Sequence, residues 1–298
     1  MAKLPDLQDV VPFMSQVVDA MGRYIEKQLD QEPFQRDDAF VTAQIDRLDS
    51  VLSMFDPEVK GLENLPESGP YLCVGNHSGG IYTPCMWAFL SQWYRHLGPK
   101  QPAYFLGLDM ALALPGVGSL YRRMGGVPAS EANATAVFES DSPLLVYPGG
   151  DYEAYRPWED RWKVDFGGRK GFIGLALRHA VPVIPVTAAG SHETIFVAIR
   201  GDRLAASMGL DRIRVKVFPF SIGFPFGLAP GFIPQLPLPS KIDIEVGETL
   251  DWHLRYGPED ADDPEVLDRC YEEITSEMQA TMDRLRERNP RQDLHRRQ

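Results

Sequence analysis

Along residues 8–28, Val10, Met14, Val17, Met21 and Ile25 recur at helical spacing with polar residues between them. This period predicts an amphipathic helix whose apolar stripe faces either its own domain or a lipid surface. Residues 30–45 are polar and predict a linker or a second short helix. From about residue 70, short apolar runs alternate with longer apolar-rich segments. Strands are predicted at 71–75, 103–106, 144–147, 181–186, 214–217 and 242–246, and helices at 84–94 and 171–179. A closing helix over 264–288 places Leu267, Cys270, Ile274, Met278, Met282 and Leu285 on one face, and its arginine-rich end suits a helix C-terminus.

Strands alternating with helices predict an α/β domain with a mainly parallel central sheet flanked by helices. Ligand sites in such sheets lie at the carboxyl ends of strands. The expected organisation is an amphipathic helical segment over 1–60, a central domain over 61–250, and a helix over 251–298 packed on that same domain. Residues 218–240, FPFSIGFPFGLAPGFIPQLPLPS, break the rhythm. They are too interrupted for a helix and too proline-rich for a central strand. An apolar irregular segment must be buried or must face something apolar, and both outcomes stay open.

Composition narrows the function classes. The chain has 298 residues, 44% hydrophobic and 24% charged, enough apolar material for a sizeable core. A net charge of −12 argues against a nucleic-acid partner, but not against a membrane surface. No apolar run reaches the roughly 18 residues that span a bilayer. Asp6 and Asp9 stand where a secretory signal would carry basic and apolar residues. Cys73, Cys85 and Cys270 are too scattered for a disulfide framework or a zinc site, so no metal is expected. The expected setting is cytoplasmic, peripheral to the membrane.

Three segments carry candidate chemistry. In GNHSGGIYTPC, a strand runs into Asn76-His77, then Gly79 and Gly80, then Thr83-Pro84. Thr83 is expected to cap a helix that starts at Pro84. This puts His77 in a loop, where a neutral imidazole can take a proton from a hydroxyl near pH 7. In LLVYPGGDYEAYRPW, a strand runs into Tyr147-Pro148-Gly149-Gly150-Asp151, and glycines there let backbone N–H groups approach an oxyanion. In RHAVPVIPVTAAGSHET, His192 is a second histidine, for which a structural polar contact is expected.

In this order the segments resemble the lysophospholipid acyltransferase superfamily, and its diacylglycerol acyltransferase-like branch more closely. The resemblance covers about residues 61–246. Asn76-His77 looks like the histidine–aspartate block, and Met124-Gly125-Gly126-Val127 like the second block. Val146-Tyr147-Pro148-Gly149-Gly150 looks like the third, and Val183-Ile184-Pro185-Val186 like the fourth. The resemblance implies that His77 deprotonates an acceptor hydroxyl, which attacks the thioester of an acyl-CoA or acyl-carrier protein. It implies no metal or redox cofactor. Substrate contacts are expected from Asn76, Gly79, Gly80, Gly125, Gly126, Tyr147, Pro148, Gly149, Gly150, Glu153, Arg156 and Arg169.

Two departures stand out. The positions where the family's orienting aspartate is expected hold Tyr82 and Cys85. Another acid (Asp109, Asp151 or Glu153) is one replacement. Cys85 is a second, because a thiol in the first turn of a helix tends to a lower pKa. The third reading is a lapsed enzyme that binds lipid or acyl-CoA. Among these, Cys85 and Asp151 join His77 as the expected catalytic set. Where the phosphatidate enzymes grip phosphate with arginines, this chain has Ser130 and Tyr152, with Arg122, Arg123 and Arg156 near enough to substitute. The expected acceptor is a lipid hydroxyl without phosphate (mono- or diacylglycerol, a lipid alcohol or a glycolipid) or a lysophospholipid. Arg161, Lys163, Arg169 and Lys170 form a basic stretch suited to CoA phosphates, anionic headgroups or plain solvent. No Gly-x-Ser-x-Gly elbow supports a hydrolase.

Overall fold

The computed structural model describes residues 7–30 and 33–288, with side chains from Gln16 onward. Val10 and Met14 of the predicted stripe therefore lie outside the described side chains. The strands are β1 (Glu58–Lys60), β2 (Leu72–Gly75), β3 (Tyr104–Gly107), β4 (Gly126–Pro128), β5 (Leu144–Val146), β6 (Val183–Ala189), β7 (Phe196–Ile199), β8 (Phe220–Gly223), β9 (Gly227–Pro230) and β10 (Asp243–Val246). The helices are α1 (Leu7–Leu29), α2 (Asp38–Leu52), α3 (Pro84–Leu97), α4 (Asp109–Ala113), α5 (Val117–Arg123), α6 (Glu131–Glu139), α7 (Gly150–Ala154), α8 (Gly171–Arg178), α9 (Asp202–Ser207) and α10 (Pro264–Arg288).

The main sheet has seven strands in the order β1-β10-β6-β2-β5-β3-β4. Its five central and distal strands are parallel, while β10 is antiparallel to β6 and parallel to β1. The chain is thus α/β with a mainly parallel sheet. Side chains alternate across it. Cys73, Phe105, Leu145, Ile184 and Val186 face α2 and α3. Leu72, Val74, Leu144, Val146 and Val183 face α6, α8 and α10. Burial on both faces explains why these strands are apolar throughout rather than alternating. Along α10, Val266, Cys270, Ile274, Met278, Met282 and Leu285 are buried, whereas Leu267 is only partly covered.

Several elements differ from expectation. The 30–45 segment leads into a full helix, α2, because Val41, Ile45 and Leu52 continue a stripe past residue 45. Asp37 caps it by accepting from the Phe40 N–H at 2.9 Å. On α1 the buried seam is Val18 and Ile25, packed with Ala113, Leu210 and Ile213, while Met21 is 38% exposed. The helix does pack on its own domain, with its face rotated from the predicted stripe. Residues 214–217 form no strand, although Val215 and Val217 are buried in alternation. The intervening Lys216 N–H goes to Asp151 Oδ2 at 2.6 Å instead of to a neighbouring strand. The segment expected to be irregular supplies β8 and β9, which pair with β7 in a second, antiparallel sheet. Among the described residues, no helix is long and apolar enough to cross a membrane.

Candidate active site

Strand β2 ends at Gly75 in the middle of the sheet, and the next residue turns the chain out of it. Asn76 stops the strand by bonding across to β6: its Nδ2 donates to Ala188 O at 2.9 Å, and its Oδ1 accepts from Ala188 N at 2.7 Å. Both ends of the amide are thereby used, so Asn76 positions the loop rather than offering itself to substrate, contrary to expectation. His77 follows at the carboxyl edge of the parallel strands.

The His77 peptide is clamped from α7 and its exit. Its N–H donates to Glu153 Oε2 at 2.9 Å, and its carbonyl accepts from Arg156 Nη2 at 2.9 Å. That same Nη2 pairs with Glu153 Oε1 at 3.0 Å, and both side chains are almost completely buried. The Asp165 N–H adds a third donor to the carboxylate at 3.3 Å. The imidazole itself lies against the Tyr147 ring, centroids 4.6 Å apart. Gly75 makes that contact possible, since a Cβ there would sit 2.4 Å from Tyr147 Cε1. Gly79 closes the loop at φ +85°, where a Cβ would meet Pro84 Cδ at 2.5 Å, and Gly80 lies under Tyr155 and Ile195.

Burial, reinforced by the Arg156 charge, lowers the His77 pKa to about 4. The ring is therefore neutral at physiological pH and able to accept a proton. Its Nδ1 is buried and has no hydrogen-bond partner among the described residues. Burial pushes Glu153 up to about 7, against the pull of Arg156 and of the N–H donors of His77 and Asp165.

A model of the Acyltransferase family matches residues 56–189, which span this loop and the Tyr147–Gly150 turn. Over that span the chain resembles an acyltransferase domain. Over 237 residues the sequence is 32% identical to an uncharacterized protein of Mycobacterium tuberculosis, covering 78% of this chain and 62% of that relative. The chain thus spans less than two thirds of the length of the mycobacterial relatives it matches. It is 30% identical over 138 residues to phytyl ester synthase 2, chloroplastic, of Arabidopsis thaliana, covering 45% of this chain and 20% of that protein. The fold is similar to that of the 1-acyl-sn-glycerophosphate acyltransferase PlsC from Thermotoga maritima, with a TM-score of 0.51, 18% identity and 93% of each chain covered.

The other expected residues lie in different parts of the fold. Tyr147, Glu153 and Arg156 touch His77, and Gly149 packs on Glu153 in the turn that Tyr147 and Pro148 lead into. Arg169 organises this turn from behind, donating to the carbonyls of Pro148 and Gly149 at 3.1 and 2.8 Å and pairing with Asp151 at 3.0 Å. Asp151 is consumed as well, by Arg169, the Tyr152 N–H and the Lys216 N–H, so it is not a partner for the His77 ring. Asp109 pairs with Arg214.

Gly125 and Gly126 lie away from the site. Gly126 is in register with Phe105, Leu145 and Cys73. That level is four residues before His77, or about 13 Å along a strand. Their role is close packing: Cβ atoms there would meet Ala103 O at 2.2 Å and the Phe105 ring at 2.9 Å.

Cys85 also departs from expectation. Its Sγ donates to the Ser78 carbonyl at 3.7 Å, and burial raises the thiol above its ordinary pKa. Desolvation of a thiolate outweighs the helix N-terminus when the group is 1% exposed. Thr83 occupies the cap position, but at φ +44° and without a side-chain cap bond.

The arginines near the phosphate-gripping positions are engaged in the fold. Arg122 bonds to the carbonyls of Leu112 and Gln28, and Arg123 pairs with Asp37. Ser130 caps α6, and Tyr152 lies under the Arg200 guanidinium, 3.6 Å from ring centroid to Cζ. The basic stretch is paired too: Arg161 with Glu193, Lys163 with Asp160, Lys170 with Asp268.

Behind the loop lies a buried group that the sequence marked only through His192. His192 is 2% exposed, and the polar group set against its ring is the Arg156 backbone. Glu193, pushed up to about 7 by burial, faces Arg161 at 3.7 Å. A Ser-His-Glu run at a strand end was the one available signal.

Proposed function

We propose that this chain transfers a fatty acyl group from acyl-CoA or an acyl-carrier protein to the hydroxyl of a lipid acceptor that lacks phosphate. The observation that carries this reading is the neutral His77 imidazole, braced by Glu153 and Arg156 beside the Pro148–Gly150 turn. His77 takes the acceptor's hydroxyl proton as the oxygen attacks the thioester carbonyl. The tetrahedral intermediate collapses, the C–S bond breaks, and the imidazolium returns its proton to the departing thiolate. Products are an oxygen ester and a free thiol, with no change of oxidation state.

A phosphate-free acceptor is supported by the internal use of Ser130, Tyr152, Arg122 and Arg123. An anion in a partly dry site needs an available cation. The ester named in the Arabidopsis relative is of the same class. The protein acts at a membrane surface, where such acceptors reside.

A second reading, a lapsed homologue that binds lipid or acyl-CoA, draws on the unpartnered Nδ1 of His77. With no acceptor there, nothing holds the proton on Nδ1 and leaves Nε2 free as the base. Radiolabelled long-chain acyl-CoA offered with a long-chain alcohol, diacylglycerol, monoacylglycerol and lysophosphatidate separates the two. Label entering a phosphate-free lipid, and lost in His77→Ala, is expected. Label entering only lysophosphatidate sinks the acceptor assignment. Label entering nothing assigns the chain to the lapsed class.

A further inference from the structure

The second sheet is built inside out. In β8, Ser221 is buried and Ile222 is 47% exposed; in β9, Ala229 is buried and Leu228 is 63% exposed. Ile222 and Leu228 stand directly opposite each other, so the sheet turns a cross-strand apolar pair toward solvent. At the tip, Phe224 and Phe226 are 68% and 61% exposed, and Leu236 beyond the hairpin is 59% exposed. Residues 217–240 contain no Asp, Glu, Lys or Arg, in a chain that is 24% charged. Solvated edge sheets ordinarily show the reverse arrangement, with polar side chains outward.

The patch adjoins the catalytic loop. Phe232 packs edge-on against Tyr155, centroids 5.3 Å apart, and Tyr155 covers Gly80, three residues from His77. The Leu238 N–H bonds to the Thr194 carbonyl at 2.9 Å, tying the far end of the segment to the turn after β6. Lys216, which borders the uncharged stretch, and Arg203 on α9 beside the exposed Leu204 are both exposed. Neither takes part in an ion pair among the described residues.

We propose that the β8–β9 hairpin, with Phe224, Phe226 and Leu228 at its end, is a docking wedge that enters the surface of a lipid bilayer. It rests on the acyltransferase reading in one respect: the acceptor lies in that bilayer, and the wedge brings the His77 loop to it. Charge decides the occupant. Anionic headgroups repel a chain of net charge −12, and the uncharged 217–240 stretch adds nothing to that repulsion. The exposed cations of Lys216, next to the uncharged stretch, and Arg203 are available to headgroup phosphates. Two phenylalanines on a projecting turn suit a deformable, apolar surface better than a flat protein interface.

The test is flotation of the full chain with phosphatidylcholine vesicles, with and without phosphatidylglycerol. The native chain is expected to float, more so with the anionic lipid. Phe224→Ser/Phe226→Ser/Leu228→Ser is expected to lower recovery by at least about tenfold. Equal recovery of native chain and triple variant overturns the proposal. So does a native dimer that the triple variant breaks, which would give the face to a second copy. Phe226→Cys carrying an environment-sensitive dye guards against misfolding of the triple variant, since the native cysteines are buried. A blue shift on adding vesicles supports the wedge, and no shift overturns it. Acyl transfer by the native chain is scored separately. Flotation lost in the triple variant without any acyl transfer keeps the wedge and removes the enzyme reading; the opposite pair of results does the reverse.

Discussion

Glu153 Oε2 accepts the main-chain N–H of His77 at 2.9 Å, so the candidate base is held through its backbone and not through its ring. Arg156 completes the clamp on the His77 carbonyl. Among the described residues no aspartate bonds the imidazole, and this pair sets where the ring can sit. Glu153→Ala should lower kcat on the order of a hundredfold, the cost of roughly an ångström of misplacement, with little change in KM. Glu153→Gln keeps an acceptor oxygen for the His77 N–H and should recover most of that loss. Steady-state kinetics of the two variants decide it, and equal losses would remove the positioning role.

The acid limb of the pH–rate profile should lie near pH 4. Burial and the Arg156 charge hold His77 at about 4, below the ordinary value near 6.5. Between those values the unfolded chain binds more protons at His77, so its contribution to stability rises with pH there. That contribution is complete above about 6.5 and is lost as pH falls through 4. Glu153, raised to about 7, has the opposite sign: its contribution is complete below the ordinary carboxyl range and fades as pH rises through 7. A limb near 7 that vanishes in Glu153→Gln reports the carboxyl. A limb near 6.5 that survives in that variant contradicts the assignment of His77.

Thiol chemistry gives a direct check on Cys85. All three cysteines are buried, and burial raises the Cys85 thiol. Ellman's reagent should find no fast-reacting thiol in the native chain and three after unfolding. Cys85→Ala should retain turnover, and its abolition would restore a chemical role for the sulfur.

Gly75→Ala should disturb the site from within the strand. The new Cβ would lie 2.4 Å from Tyr147 Cε1 and push that ring off His77. Overpacking of this kind costs about 1–3 kcal/mol, readable as a lower urea midpoint. Turnover should fall with it, whereas Tyr147→Phe, which keeps the ring, should be active.

Two helix positions test the packing seams by chemical denaturation. Ile274 is fully buried on α10, so Ile274→Ala should cost about 2–5 kcal/mol. Met21 is 38% exposed on α1, so Met21→Ala should fall within about 0.5 kcal/mol. A large loss at Met21 would return the seam to the stripe predicted from periodicity.

Much of the architecture is legible in the chain because it rests on local periodicity. Apolar runs at β2 and β5, and one broken only by Thr187 at β6, announce strands buried on both faces, and the α10 stripe announces its own seam. The motifs at His77 and Tyr147–Gly150 resemble a family block by block, and local order is all such a match needs. Periodicity alone did not choose between adjacent faces of α1, since Val17 and Val18 each start a plausible stripe. Nor did apolar composition say which side of the β8–β9 sheet would face out.

What the sequence by itself determined, then, is the α/β class, the resemblance to the acyltransferase family and the loop that carries His77. The tertiary structure decided which carboxylates reach that loop. Glu153 lies 76 residues from His77 and Asn76 lies 112 from Ala188, and no spacing rule connects them. Asp151 looked equally available in sequence, but Arg169 and the Lys216 N–H take it. The thiol of Cys85 follows the same logic: its place at a helix start is local and favours a thiolate, while burial by distant residues disfavours it and prevails. Hydrogen-bond capacity and desolvation are settled by whatever the fold brings close, which is why the site's chemistry required the folded chain.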